Sequence, residues 1–136
     1  MSKIKTVAIL GASANHERYA YKAIKLLAEY GHHVVLINPN INEIENQKCY
    51  ATLEEVQENV VQNNTGYKNF FAIDTITIYL RPELSTTLFS AIKSIHPKRV
   101  IFNPGAENEE LERALLQEGI EVINGCTLVL LKTDQF

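Results

Sequence analysis

The residues best equipped for chemistry lie near the start of the chain. Gly11-Ala12-Ser13-Ala14-Asn15 follows an apolar run and precedes a helical pattern. In that setting a glycine lets backbone amides and a helix N-terminus come close to a pyrophosphate. Measured against the G-x-G-x-x-G fingerprint the segment is degenerate, with Ser13 in the place of the second glycine and His16 in that of the third. Taken alone, the loop fits a ligand-free strand-to-helix turn as well as it fits a phosphate cradle. Arg18, inside the loop, and Lys22, one helical turn later, add positive charge at the same point. Arg18 is the better phosphate clamp of the two, since Lys22, and still more Lys25, also fits a solvated helix face.

Further along, Arg81 at a strand end is placed either to reach a ligand or to pair with Glu83. Cys126 follows Gly125 at the end of the last predicted strand, where a thiol is positioned for disulfide exchange. A small, inert core residue is the commoner fate of a free cysteine. Of the four histidines, His16 lies in the loop within reach of a phosphate, His32-His33 fall in a turn, and His96 precedes Pro97 at a helix end. No His/Cys spacing matches a metal site.

These residues need a scaffold, and the hydrophobic pattern supplies one. Val7 to Leu10 is a continuous apolar run, as in a strand buried on both faces of a parallel sheet. Ala20, Ala23, Ile24, Leu27 and Ala28 recur at helical spacing and Gly31 provides a stop, after which Val34 to Ile37 reads as a second strand. Thr52-Leu53-Glu54-Glu55 is a capping box that opens a short helix with Leu53, Val56 and Val60. Gln62 to Asn69 reads as a loop, within a segment, Glu58 to Asp74, that is longer and more polar than the usual connection. A third strand carries Ile76, Ile78 and Leu80, and a helix from Pro82 carries the stripe Leu84, Leu88, Ala91, Ile92 and Ile95. Val100 to Phe102 and Ile120 to Ile123 are the fourth and fifth strands, separated by a helix with acids in its first turn, and Leu128 to Leu131 forms an apolar tail. This alternation predicts an α/β, doubly wound, mainly parallel five-stranded sheet with helices on both faces. Pro39, Pro82 and Pro104 each follow a predicted strand, which puts stiff polar loops on the edge where such sheets bind ligands.

With 136 residues, 46% hydrophobic and 21% charged, the chain is sized for one domain, residues 1–136, with a core that needs no disulfide or metal. Two cysteines fit a reduced cytoplasmic interior, and the short apolar run after the polar start suits neither a signal peptide nor a membrane span. The net charge of −3 excludes a generally basic nucleic-acid binder. It conceals an asymmetry, because residues 1–40 carry +3 and the remainder −6.

Enzymes that use NAD place an acid at the end of the second strand for the ribose hydroxyl. Asn38-Pro39 stands there instead, and no Arg follows to meet the 2′-phosphate of NADP. An anionic nucleotide of another kind remains favoured.

Val7-Ala8-Ile9-Leu10-Gly11-Ala12-Ser13, Asn15, Arg18 and Tyr21-Lys22 carry a family resemblance, which continues through Val34 to Pro39, Cys49-Tyr50-Ala51-Thr52-Leu53, Leu80-Arg81-Pro82-Glu83 and Asn103-Pro104-Gly105-Ala106. In this order, over nearly the whole chain, they resemble the small stand-alone CoA-binding-domain proteins, relatives of the CoA-binding domain of succinyl-CoA synthetase and ADP-forming acyl-CoA synthetases. The resemblance implies a Rossmann-like fold and a coenzyme A site. Gly11, Ala12 and Ser13 would lie on the pyrophosphate, Asn15, Arg18 and Lys22 near the phosphates, and Asn38 and Pro39 beside the adenine or ribose. Tyr50 would cover the adenine and Arg81 reach the ligand. The larger relatives use a phosphohistidine on another domain and an ATP-grasp domain, for which 136 residues leave no space. The expectation is a cytoplasmic, non-catalytic carrier, sensor or subunit that binds CoA or acyl-CoA and has room for a protein partner but no nucleic-acid or membrane one. The rivals are an NAD(P)-dependent oxidoreductase or other dinucleotide enzyme, and an interaction subunit whose pocket is vestigial and whose apolar tail docks a partner.

Overall fold

The computed structural model describes residues 3–62 and 72–136. The order of elements is β1 (Thr6–Leu10), α1 (Tyr19–Glu29), β2 (His33–Ile37), β3 (Glu43–Ile44), β4 (Gln47–Tyr50), α2 (Leu53–Gln62), β5 (Thr75–Ile78), α3 (Pro82–Ser85), α4 (Phe89–Ile95), β6 (Arg99–Phe102), α5 (Glu109–Gln117), β7 (Glu121–Asn124) and α6 (Thr127–Lys132). The strands form one sheet in the order β3-β4-β2-β1-β5-β6-β7. All pairings are parallel except the β3–β4 hairpin. The chain thus winds outward from β1 through β2 to β4, then crosses back to build β5, β6 and β7. The Rossmann-like α/β architecture is as the sequence predicts, and all five predicted strands are present.

Alternation along β1 divides the core. Val7 and Ile9 pack with Tyr21, Ile24 and Leu27 of α1, Leu36, and Leu131 of α6. Ala8 and Leu10 face Leu53 and Val56 of α2, Ala91 and Ile92 of α4, and Leu111 and Leu115 of α5. Helices therefore cover both faces, and the central strand has no solvent side, which is why it reads as an uninterrupted apolar run.

The structure departs from the sequence-based expectation at four places. The sheet has seven strands rather than five, because β3 and β4 are too short and too polar (Glu43, Gln47, Lys48) to give an apolar signal. Tyr21 replaces Ala28 in the buried stripe of α1, since Ala28 is exposed. The helix begun at Pro82 is interrupted by a 3₁₀ turn over Thr86–Leu88. There the Thr87 hydroxyl donates to the Leu84 carbonyl at 2.7 Å and competes for the helical ladder; Leu84 is left 48% exposed. The apolar tail is the helix α6, whose Leu131 is in the core against α1. Most of the long polar connection, residues 63–71, lies outside the described residues.

The amino-terminal edge of the sheet is closed by His32, whose Nδ1 accepts the Lys5 backbone N–H at 3.0 Å. Burial, and then the positive charges of Lys5 and Arg99, hold this imidazole below its ordinary value of 6.5. A base depressed in the fold keeps its stabilising neutral form above the unfolded value, and that contribution is lost as pH falls through 6.5 toward the folded value. Thermal unfolding should accordingly shift to lower temperature between about pH 7.5 and pH 5. His32→Asn, which offers an acceptor that does not titrate, should flatten that slope; an unaltered slope would trace the dependence to another group.

Candidate functional site

The strand order reverses about β1, so the carboxyl ends of β1, β2, β5 and β6 surround the crevice where doubly wound sheets hold ligands. Gly11 makes the tight exit from β1 at φ +89°; a Cβ there would stand 3.2 Å from the Tyr79 carbonyl and 3.1 Å from Leu80 Cδ2. The N–H groups of Gly11 and Ala12 both donate to the Ile37 carbonyl at 3.1 Å, which binds the loop to the end of β2. The backbone donors left for an anion are therefore those that follow, beginning with Ser13. Its hydroxyl accepts the Asn15 N–H at 3.0 Å and keeps its own proton to give. Asn15 in turn accepts the Glu17 N–H at 3.0 Å through Oδ1, so the loop holds its own shape.

Three clefts adjoin along this edge. The middle one, about 430 Å³, is bounded by Gly11-Ala12-Ser13, Arg18, Asn38, Arg81 and Pro104. On the β2 side it shares Gly11, Asn38 and Leu80 with a cleft of about 320 Å³ that continues over Pro39, Asn40, Thr52, Leu84 and Leu88. On the β6 side it shares Tyr19, Tyr79 and Pro104 with one of about 400 Å³ that ends at Cys126 and α6. Arg18 and Arg81 are exposed, and neither has an ion-pair partner among the described residues. The Arg81–Glu83 pair that the sequence permits does not form.

Residues 5–132 match the sequence profile of a family described as CoA binding domain. The chain belongs to the CoA binding domain family. Among solved structures it resembles an uncharacterized protein at 35% identity and a TM-score of 0.84, over 99% of this chain and 100% of that one. A hypothetical protein from Pyrococcus horikoshii OT3 shares the fold at 23% identity and a TM-score of 0.78, over 96% and 84%. So does the dinucleotide forming acetyl-coenzyme A synthetase 1 of Ca. Korarchaeum cryptofilum, at 21% identity and a TM-score of 0.63; 89% of this chain matches 25% of that one.

In this CoA binding domain, the candidate residues Gly11, Ala12, Ser13, Arg18, Asn38 and Arg81 meet at the middle cleft, and Pro39 lines its neighbour. Asn15 shapes the loop from outside the cleft walls. Lys22 lies over the Tyr19 ring at 5.4 Å, and Tyr50 lies under Lys48 at 4.8 Å while packing on the core, so neither is among the residues that line the three clefts. Lys25 is engaged elsewhere, with Nζ 2.8 Å from Glu45 Oε1, and Glu45 also accepts the Tyr21 hydroxyl. Sequence reasoning missed Tyr19 and Tyr79 as cleft walls. Tyr79 hides inside an apolar strand run, and Tyr19 is recognisable only as a large ring at a helix start.

The two Asn-Pro turns act as struts. Asn38 Nδ2 donates to the Ala12 carbonyl at 2.8 Å and its Oδ1 accepts the Asn40 N–H at 2.8 Å, so its amide braces the loop between β1 and α1. Asn103, fully buried, donates to Thr77 Oγ1 at 2.6 Å and the Ile78 carbonyl at 2.9 Å, and accepts the Thr127 N–H at 2.9 Å. It thereby joins β5, β6 and the start of α6. Asn103→Leu leaves the buried Thr127 N–H without its acceptor and removes two donated bonds, and urea unfolding should register a loss of about 2–4 kcal/mol. Gly11→Ala forces a left-handed backbone and a contact with Tyr79 at once; it should cost about 1–3 kcal/mol in the same assay and weaken ligand binding at the loop.

Proposed function

We propose that the chain binds coenzyme A or an acyl-CoA along the carboxyl edge of the sheet and serves as a non-catalytic carrier, sensor or subunit. The observation that carries this reading is the row of three adjoining clefts, with two guanidinium groups on the middle one that have no ion-pair partner among the described residues. CoA has that layout: a pyrophosphate at its centre, an adenosine 3′-phosphate on one arm and pantetheine on the other. Ser13 and Arg18 would hold the pyrophosphate and Arg81 would add charge from the opposite wall, with the adenosine along Asn38 and Pro39. Kinship in fold with an acetyl-coenzyme A synthetase supports the same ligand.

An NAD(P)-linked oxidoreductase is the weaker reading. Asn38 stands where NAD enzymes use an acid, and its amide is already committed to Ala12 and Asn40. Non-catalytic use is supported by the character of the middle cleft, whose charged side chains are the cations Arg18 and Arg81, suited to holding an anion rather than to proton transfer. Both cysteines are unpaired, which supports a reducing, cytoplasmic setting. Among the described residues no helix is long and apolar enough to cross a membrane.

Calorimetric titration with CoA, dephospho-CoA and NAD should rank them in that order, and equal or tighter binding of NAD overturns the proposal. Arg18→Ala should weaken CoA about three- to tenfold and reduce the salt dependence of binding. Acetyl-CoA incubated with the protein should release thiol at the uncatalysed rate; faster release would make the chain a thioesterase.

A further inference from the structure

The cleft on the β6 side differs in character from the middle cleft that it extends. Its walls are Tyr19, Tyr79, Pro104, Leu128 and Val129, joined by Cys126 and the hydrogen-bonded amide of Asn103, and among the described residues Lys132 is its one charged side chain. Tyr19 is 67% exposed and Val129 54% exposed, two large apolar side chains left to water on α1 and α6. The Tyr79 hydroxyl is buried, with no hydrogen-bond partner among the described residues. Burial raises it to about 12, an effect that the nearby Thr127 and Thr77 hydroxyls only moderate, so no charge arises there at neutral pH. Because Tyr19, Tyr79 and Pro104 also border the middle cleft, a ligand anchored by its pyrophosphate reaches this trough without crossing a barrier.

Pantetheine alone does not account for these walls. Its two amides are polar and its thiol is small, whereas the trough of about 400 Å³ has an apolar lining with exposed aromatic and aliphatic rims. On the CoA reading the adenosine arm takes the cleft at the other end, over Pro39, Asn40 and Thr52, which leaves the α6 cleft for the opposite end of the ligand. Resting on the CoA reading above, we infer that the α6 cleft is a subsite for a compact apolar acyl group, and that the chain selects acyl-CoA thioesters over free CoA. Tyr19 and Val129 determine that selectivity by covering the acyl chain, and no bond is made or broken.

Calorimetry with CoA, acetyl-CoA, butyryl-CoA and succinyl-CoA tests this on the wild-type chain and on Val129→Asp and Val129→Ser, both at an exposed position and both checked by circular dichroism. The two methylenes that separate butyryl from acetyl should tighten binding about four- to fifteenfold in a half-open apolar trough. Each Val129 variant should reduce that ratio, measured against its own acetyl-CoA affinity, to below about twofold. Equal affinity for CoA and butyryl-CoA overturns the inference, as does a ratio that survives both variants. Tighter binding of succinyl-CoA than of butyryl-CoA does so too, since Lys132 rather than the apolar wall would then be the reader. Equal weakening of CoA and every thioester would assign the cleft to adenosine and also overturn it. Absence of CoA binding to the wild type removes the function proposed above, whereas CoA binding without an acyl gain removes this inference alone.

Discussion

Everything on the carboxyl edge depends on amide side chains, Asn103 and Asn108 buried and Asn38 half-buried, that tie together backbone segments remote in sequence. A parallel sheet delivers its strand ends to one line, but the loops that leave them have no ladder to fix their directions. Asn38 fixes the β1 loop against the end of β2, and Asn103 fixes β5, β6 and α6 to one another. Asn108 does the same one turn away: it caps α5 through the Leu111 N–H at 3.0 Å and donates to Ser85 and Thr86 at 2.9 and 2.8 Å. An amide carries both a donor and an acceptor, so one side chain satisfies two partners, and at Asn103 and Asn108 it does so in a place that water does not reach. The clefts exist because these turns are held open at defined spacings.

This changes the reading of the Asn-Pro turns. In the sequence they stand out as stiff, polar and next to strand ends, which invites a direct role in binding. In the structure the amides of Asn38 and Asn103 are engaged in bracing the backbone around the clefts.

The fold was largely legible because long-range order here follows from short-range pattern. Val7 to Leu10 reads as a doubly covered strand because it is one, and Thr52 caps α2 by accepting the Glu55 N–H at 3.1 Å, as its capping box implies. What escaped were features with no local signature. The β3–β4 hairpin is specified by tertiary anchoring, with Glu45 at φ +48° receiving Lys25 and Tyr21 from α1. Lys25 looks like a solvated cation until that partner, twenty residues away, is known. Arg18 and Arg81 were legible as exposed cations beside the cleft for the converse reason, since no acid lies at helical spacing from either.

The brevity of that hairpin also governs what the sheet can join. An exposed outer strand is a template on which another chain can add main-chain hydrogen bonds. Here the outermost strand on the β2 side is two residues long, turns back through two residues with positive φ, Glu45 and Asn46, and carries Glu43 on its exposed position. A second sheet finds too few backbone groups in line to continue the ladder, and meets a carboxylate where it would dock. Glu45, in the turn, latches the hairpin to α1 while Glu43, on the strand, guards its free side, so this margin is poorly suited to strand-by-strand growth.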